Sequence, residues 1–472
     1  MPVFGRVNKY ISGGYTFMKR KIVAVVLAST MVLGLAACGG GDAGTTDTTG
    51  GDDATATTEA GGDDADVKEG SSDDENTLTV WTWDPNFNIY AINQAAEIYA
   101  QDHPGFKVEV SEIQSDDIET RLTTAVSAGD LSTLPDIFLM QDNSFQKYAT
   151  NYPDIFTDLT DSGIDFSQFS EAKVAYSTLD GKNYGIPFDN GAVIECLRTD
   201  MLEKAGYTID DFTDITWSDF MEKAKVVKEK TGQPILTSQA GSPDLVMEML
   251  QSCGQSLFNE DGSVNIKDNK ALKPILEIYQ QMVADGTLVE VTDWDQYIAS
   301  INNGTVAGVI NGCWIMASIV ANDDQSGQWA VTDMPKLDDV DGATNYSNNG
   351  GSSWAITSNC KKVDLAVDFM NSTFAGSTEF YDDIITKGAL STWAPAGDSE
   401  AYAQPVEFFG GDAVYAKIVD FSTKTPSNIT GAFYYDARDA VGVALSNIIQ
   451  SGADMDSEIQ TAQETVEFNM GG

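Results

Sequence analysis

The stretch TLTVWTWDPNFNIYAINQAAEIYAQDHPGFKVEVSEI, residues 77–113, determines the fold class that we predict. It opens with an alternating run of β-branched and aromatic residues, which predicts a strand. After the turn DPNFN, apolar residues recur at helical spacing from Ile89 to Tyr99, and FKVEVSEI then predicts a second strand. A helix over 118–128 and a buried strand over 135–140 continue the alternation. Strands and helices that alternate with short connections predict an α/β fold with a mainly parallel sheet.

The remainder of the chain shows the same two kinds of pattern, and it is too long for one ordinary core. Two lobes are therefore expected. Helical patterns occupy residues 216–232, 244–251, 272–285 and 363–371, and residues 430–452 predict a long helix that ends the chain. Residues 297–319 predict a helix, a strand and a helix separated by Gly turns, and residues 348–357 predict a loop that leads into a strand.

The N-terminal residues indicate secretion. A basic cluster at residues 19–21 precedes the uncharged, apolar run 22–37, which is shorter than the ~20 residues of a transmembrane helix and is typical of a signal peptide. The residues LAAC that end at Cys38 resemble the bacterial lipobox, which implies cleavage after residue 37 and a diacylglycerol on the Cys38 thiol. A non-lipidated signal or a plain membrane anchor is the alternative. We expect translation to start at Met18.

Residues 38–76 predict a flexible tether behind that cysteine. The segment is rich in Gly, Thr and Asp, and Val67 is its one large apolar side chain. Such a composition cannot bury enough apolar surface to offset the entropy of ordering, so we expect disorder. The tether would hold a folded body away from a lipid surface.

Composition excludes several classes of function. The formal net charge is −45, which argues against a nucleic-acid partner, because those partners need basic surfaces. The single histidine, His103, makes a zinc site or a Ser-His-Asp triad unexpected, and we expect neither a metal nor a cofactor. An even set of cysteines permits two disulfides, but the wide gaps favour buried thiols: Cys196, Cys253, Cys313 and Cys360.

Seven segments, in this order, resemble the family 1 extracellular solute-binding proteins of ABC importers, the group that includes the maltose-binding proteins. They are LTVWTW, AGDLSTLPDIFL, YGIPFDNGAVIECLRTDMLEKAGYT, TWSDFMEKAK, INNGTVAGVINGCWIM, GGSSWAIT and FYYDARDAV. The resemblance implies a two-lobe, type II periplasmic-binding-protein-like fold, with lobe 1 at 77–187 and 347–400 and lobe 2 at 188–346 and 401–472. It places hinge strands near 187–190, 347–351 and 401–405.

The resemblance also implies a function. Members of the family bind a solute in the cleft between the lobes, close, and deliver it to a membrane permease. A sugar presents apolar CH faces and hydroxyl groups, so its site needs aromatic rings for stacking and carboxylates or amides for hydrogen bonds. We therefore expect a monomeric, lipid-anchored protein on the outer face of the cell membrane that binds a carbohydrate and performs no catalysis.

The candidate ligand residues are aromatic, acidic or amide side chains near predicted strand ends, hinges or helix starts. In open α/β sheets, ligands bind beyond the carboxyl ends of strands, which selects the residues after the first and third strands. The family resemblance adds a stacking tryptophan and two aromatic residues at the start of the last helix. The full set is Trp83, Asp84, Asp142, Asn143, Asp189, Asn190, Asp244, Trp294, Trp314, Trp354, Trp393, Tyr434 and Tyr435.

Departures from the maltose-binding pattern leave the ligand open. Gly191 stands where those proteins have a glutamate, and Met140 and Asn143 stand where they have a tryptophan and an arginine. Two alternatives keep the fold but change the ligand: a ferric ion held by the adjacent tyrosines, or a polyamine or peptide held by the aspartates. A third alternative is a secreted glycosidase that uses paired carboxylates.

Overall fold

The computed structural model describes residues 67–471, so the predicted signal peptide, Cys38 and most of the tether lie outside the described residues. The first part of the chain alternates strand and helix as predicted. Its elements are β1 (Thr77–Thr82), α1 (Asn88–Asp102), β2 (Lys107–Glu112), α2 (Ser115–Ala128), β3 (Ile137–Gln141), α3 (Asp142–Asn151), α4 (Glu171–Tyr176), β4 (Thr178–Leu179) and β5 (Lys182–Asn183). Strand β1 pairs in parallel with both β2 and β3, which confirms the parallel α/β layer.

The middle of the chain begins with the longest strand, and three later strands of this part pair with it. Its elements are β6 (Ile186–Arg198), α5 (Thr199–Ala205), α6 (Trp217–Thr231), β7 (Leu236–Gln239), α7 (Asp244–Ser252), α8 (Leu272–Asp285), β8 (Leu288–Val291), α9 (Trp294–Asn302), β9 (Gly308–Gly312), α10 (Met316–Val320), β10 (Trp329–Thr332) and β11 (Asn348–Ile356). Helix α6 is capped at its start, because the Thr216 side chain accepts a hydrogen bond from the Asp219 backbone.

The C-terminal part is helical: α11 (Val363–Ser372), α12 (Thr378–Ile384), α13 (Ala394–Gly397), α14 (Val414–Lys424), α15 (Tyr434–Ser451) and α16 (Met455–Asn469). The prediction that the helix over 430–452 ends the chain is wrong. Gly452 ends α15 in a left-handed conformation, and the Asp454 side chain then caps α16 by accepting from the Ser457 backbone.

One sheet joins two lobes through β6 and β11. The strand order is β10-β6-β11-β3-β1-β2, and β9 also pairs with β6. The first half of β6 pairs with β11, whereas its second half, from Val193, pairs with β9 and β10. Strand β6 therefore runs from the sheet of the first lobe into the sheet of the second. This arrangement is the two-lobe, type II periplasmic-binding fold.

Alternating side chains on β6 supply a core on each side of the second lobe. Val193 and Leu197 pack with α6, α7 and α15, while Ile194 and Cys196 point to the opposite face and pack with α10 and α14. In the first lobe, Ile186 packs with α1 and α11. Each half of the strand is thus anchored in a different hydrophobic core.

The crossing of β6 and β11 requires glycine at one position. A Cβ added at Gly191 would lie 1.9 Å from the Asn349 carbonyl oxygen, so a side chain there would push the strands apart. The third predicted hinge, 401–405, is not a strand. Its first residues form a 3₁₀ turn, Glu400–Ala403, in which the Ser399 side chain accepts a hydrogen bond from the Ala401 N–H. Pro405, at the other end of the segment, has no N–H to donate to a neighbouring strand.

Within residues 67–471, no helix combines the length and the apolar character that crossing a bilayer requires. Cys196, Cys253, Cys313 and Cys360 are buried free thiols, in agreement with the prediction of buried thiols.

Candidate ligand-binding site

An aromatic wall lies on the second lobe where it meets the first. Trp314 lies two residues after the end of β9, and its ring is 5.8 Å from the ring of Trp294, at the start of α9. Trp294 also stacks on Tyr297, with centroids 5.2 Å apart and planes 22° from parallel. Trp314 is half-buried and packs against the cores of both lobes, while Trp294 is 36% exposed. Two of the predicted tryptophans therefore share one surface.

The backbone holds the Trp314 ring in place. Its indole Nε1 donates to the Asn349 carbonyl, at 2.9 Å, on the hinge strand β11. The ring lies so close to Gly312 that an added Cβ would be 2.3 Å from Nε1. A glycine before the tryptophan therefore permits the contact between the indole and the hinge.

Acidic, basic and phenolic side chains lie at the start of α7 and α15. The Arg438 guanidinium donates to Asp244 at 2.6 Å and lies 5.6 Å from the centre of the Tyr435 ring. The Tyr435 hydroxyl donates to the Gln141 side chain at the end of β3, so this bond joins the two lobes. Tyr434 is 8% exposed and meets Tyr435 edge to face, and burial raises the pKa of Tyr434 to about 12.

Arg438 was absent from the sequence-based set. It lies four residues after Tyr434 on α15, and residues at that spacing share a helix face. The helical spacing was therefore a signal that could have identified it.

A narrow crevice in the second lobe lies beside this wall and is partly open to solvent. It adjoins the carboxyl end of β7, as expected for a ligand site in an α/β sheet. Polar and aromatic side chains line it together, including Ser238, Gln239, Asp244, Trp294, Tyr297 and Asn311.

The first lobe contributes side chains after β1 and β3. Trp83 and Asp84 are half-buried, and Asp84 accepts a hydrogen bond from the Asn86 backbone at 2.8 Å. Burial raises the pKa of Asp84, although that hydrogen bond opposes the effect. Asn143 and Asn190 are half-buried as well, and within residues 67–471 neither side-chain amide has a hydrogen-bond partner.

Asp142 follows β3 and Asp189 lies on the hinge strand β6, but neither side chain is exposed as a ligand residue would be. Their side chains are buried in a cluster around Lys173, whose ammonium contacts Asp142 and donates to the Asp189 carbonyl at 2.6 Å and the Ser352 carbonyl at 3.0 Å. The Asp189 carboxylate accepts from the Ser352 backbone at 2.9 Å, and burial raises its pKa to about 6. The Asp142 carboxyl therefore joins the end of β3 to the hinge strand β11, and the Asp189 carboxyl joins β6 to β11.

Trp354 belongs to the core of the first lobe. It is fully buried, with ring centroids 5.6 Å from both Phe188 and Phe374, so no ligand reaches it in this structure. Trp393 is half-buried and stacks on Tyr381 at 6.4 Å. It packs against the same core.

The fold agrees with comparisons with known proteins. Residues 94–410 match the family model of the bacterial extracellular solute-binding proteins. The chain belongs to this family. The solute-binding protein is 38% identical to a lactose-binding protein of Rhizobium radiobacter over 388 residues, which cover 82% of this chain and 91% of the relative.

Solved structures share the fold at low sequence identity. A binding protein of an ABC transporter from B. animalis subsp. lactis, in complex with β-1,6-galactobiose, superimposes with a TM-score of 0.71 at 21% identity. The match covers 83% of this chain and 96% of that one. A maltose-bound protein of T. maritima gives a TM-score of 0.68 at 17% identity, over 83% and 99% of the two chains.

Proposed function

We propose that this solute-binding protein captures a sugar or short oligosaccharide between its lobes and delivers it to the permease of an ABC importer. The observation that carries the proposal is the aromatic wall of Trp314, Trp294 and Tyr297 beside the Asp244–Arg438 pair. Aromatic faces stack on sugar CH groups, and the ion pair offers donors and acceptors to hydroxyls. The lactose-binding relative and the galactobiose-bound structure support this ligand class.

A ligand that touches both lobes favours the closed state. In the first lobe, the contacts would come from Trp83, Asp84 and Asn143, with Trp393 and Asn190 at the margin of the cleft. Trp314, Tyr435 and Asp244 would supply contacts from the second. We retain the predicted lobe boundaries for this scheme: 77–187 and 347–400 for the first lobe, 188–346 and 401–472 for the second.

The proposal includes a lipid anchor on Cys38, which lies outside the described residues. A lipidated cysteine behind an acidic tether would keep a monomeric body on the outer face of the membrane. The acidic composition fits such a tether, because anionic headgroups repel the body.

The other ligand classes are less compatible with the geometry. A ferric ion needs phenolate oxygens, but burial raises the pKa of Tyr434 and Tyr435 and so favours the neutral phenols. A polyamine needs uncompensated carboxylates, but Asp142 is paired with Lys173 and Asp244 with Arg438. The homologues named above are binding proteins, and we propose no catalytic step.

A calorimetric titration with lactose and with β-1,6-galactobiose tests the proposal. We expect binding by at least one of them, together with a higher melting temperature. Trp314→Ala should weaken that binding by about 1–3 kcal/mol, because the stacking surface is lost. Phe468→Ala is the matched aromatic control, since this side chain is 78% exposed on α16. A folded protein that binds no saccharide, or equal affinity in both variants, would contradict the proposal.

A further inference from the structure

A buried glutamate lies behind the aromatic wall. Glu248 is on α7, one turn after Asp244, and is 1% exposed. Its Oε1 accepts a hydrogen bond from the Asn349 side chain at 2.7 Å. The carbonyl of the same asparagine accepts from Trp314 Nε1 at 2.9 Å. One residue of the hinge strand therefore connects the carboxyl to the indole.

The same network reaches the second part of the wall. The Asn349 side chain also donates to Asn311 Oδ1 at 3.0 Å, and Asn311 in turn donates to the Tyr297 hydroxyl at 2.9 Å. Ser347, at the entry to β11, donates its hydroxyl to the Glu248 backbone carbonyl at 2.7 Å. The rings on either side of Trp294, those of Trp314 and Tyr297, therefore both belong to one hydrogen-bond network between α7 and the hinge strand.

No cation compensates the Glu248 carboxyl within residues 67–471. Arg438, on α15, is bound to Asp244 instead, and Glu248 Oε2 has no hydrogen-bond partner in this part of the chain. The ionisable groups that face it are Asp244 on the same helix and Tyr297 on α9, and neither is a cation. On the neighbouring α8, Tyr279 donates its hydroxyl to Glu290 at 3.0 Å. A charged carboxylate would therefore be buried without a counter-ion, which is costly.

We propose that Glu248 is a positioning residue that holds Asn349 and the Trp314 indole in their ligand-binding arrangement only while its carboxyl is neutral. The inference rests on the proposed function, because it concerns the affinity of the same cleft. Burial and the nearby Asp244 raise the pKa of Glu248 to about 8 although the hydrogen bond from Asn349 opposes the effect, so the carboxyl is protonated at neutral pH. Above that pH, the charge favours conformations in which water reaches it, and α7 then separates from the hinge strand. The cleft loses its preformed aromatic wall.

The pH profile of sugar affinity tests this inference. We expect the dissociation constant of the wild-type protein to be constant near pH 6 and to rise above about pH 8, by at most about tenfold per pH unit for one coupled proton. Glu248→Gln keeps an oxygen for Asn349 but cannot ionise, so its affinity should match wild type at pH 6 and stay flat to pH 9. Glu248→Ala removes the acceptor and should bind more weakly at every pH.

Glu195→Gln is the matched control. Glu195 is also fully buried with both carboxyl oxygens unpartnered, and it lies on β6 between β9 and β10. Its replacement should leave the pH profile of affinity as in wild type. A wild-type affinity that does not change from pH 6 to pH 9, or a Glu248→Gln profile that follows wild type, would overturn the inference.

Tryptophan emission separates this inference from the proposed function. If the folded protein binds no saccharide at pH 6, the proposed function fails. The emission of the ligand-free protein should still change near pH 8, because the indole loses its bond to the hinge, and Glu248→Gln should abolish that change. The absence of such a difference between the two proteins would refute the positioning role by itself.

Discussion

Replacing Lys173 with methionine removes the cation from the buried cluster that joins β3 to the hinge strands. The side chains of Lys173 and Asp142 are each 3% exposed. The ammonium also donates to the carbonyls of Asp189 and Ser352, at 2.6 and 3.0 Å. Removing one partner of a buried pair costs about 3–5 kcal/mol, because the other charge remains buried and uncompensated. We expect a loss of this size in the free energy of unfolding, measured by urea denaturation followed by circular dichroism.

A second substitution identifies the cause of that loss. Adding Asp142→Asn to Lys173→Met removes the stranded charge and should recover about 1–3 kcal/mol. Asp142→Asn alone should lower stability but leave sugar affinity nearly unchanged, because this carboxyl faces the hinge. A loss below about 1 kcal/mol for Lys173→Met, or no recovery in the double variant, would refute the reasoning.

Three further predictions concern the cleft and its pH dependence. Gly312→Ala should weaken sugar binding about tenfold, because its Cβ would lie 2.3 Å from Trp314 Nε1. Gly397→Ala is the control: its Cβ would have no atom within 4 Å, so the sugar affinity measured by calorimetric titration should not change. Tyr435→Phe removes the hydrogen bond to the end of β3, and small-angle scattering should show a larger radius of gyration without ligand. The free energy of unfolding should fall as the pH rises from about 4.5 to about 8, because folded Glu248 keeps the proton that the unfolded chain releases; Glu248→Gln should flatten this slope.

Local patterns accounted for most helices and strands. The periodicity of residues 272–285 gave the bounds of α8, Leu272–Asp285, and the capping threonine marked the start of α6. The polar helix α16 was missed, because Ile459, Ala462 and Val466 are its only buried side chains in the described part and give a weak periodic signal.

The site was predicted less completely than the fold. Trp314 and Trp294 do share one surface. The burial of Trp354 could not be predicted from the sequence of its strand, because both faces of β11 are covered by other elements. Asp142 is separated by 31 residues from the lysine that neutralises it, and Glu248 by 101 residues from the asparagine that it holds. No spacing rule links such pairs.

The sequence alone determined the α/β class, the order of the elements and the residue types available to a sugar site, because periodicity, caps and turns act over a few neighbouring residues. The tertiary structure alone decided which acids face the cleft and which are neutralised at the hinge. A carboxyl becomes a ligand group, an ion-pair partner or a buried acid according to the charges and water that the folded chain places around it.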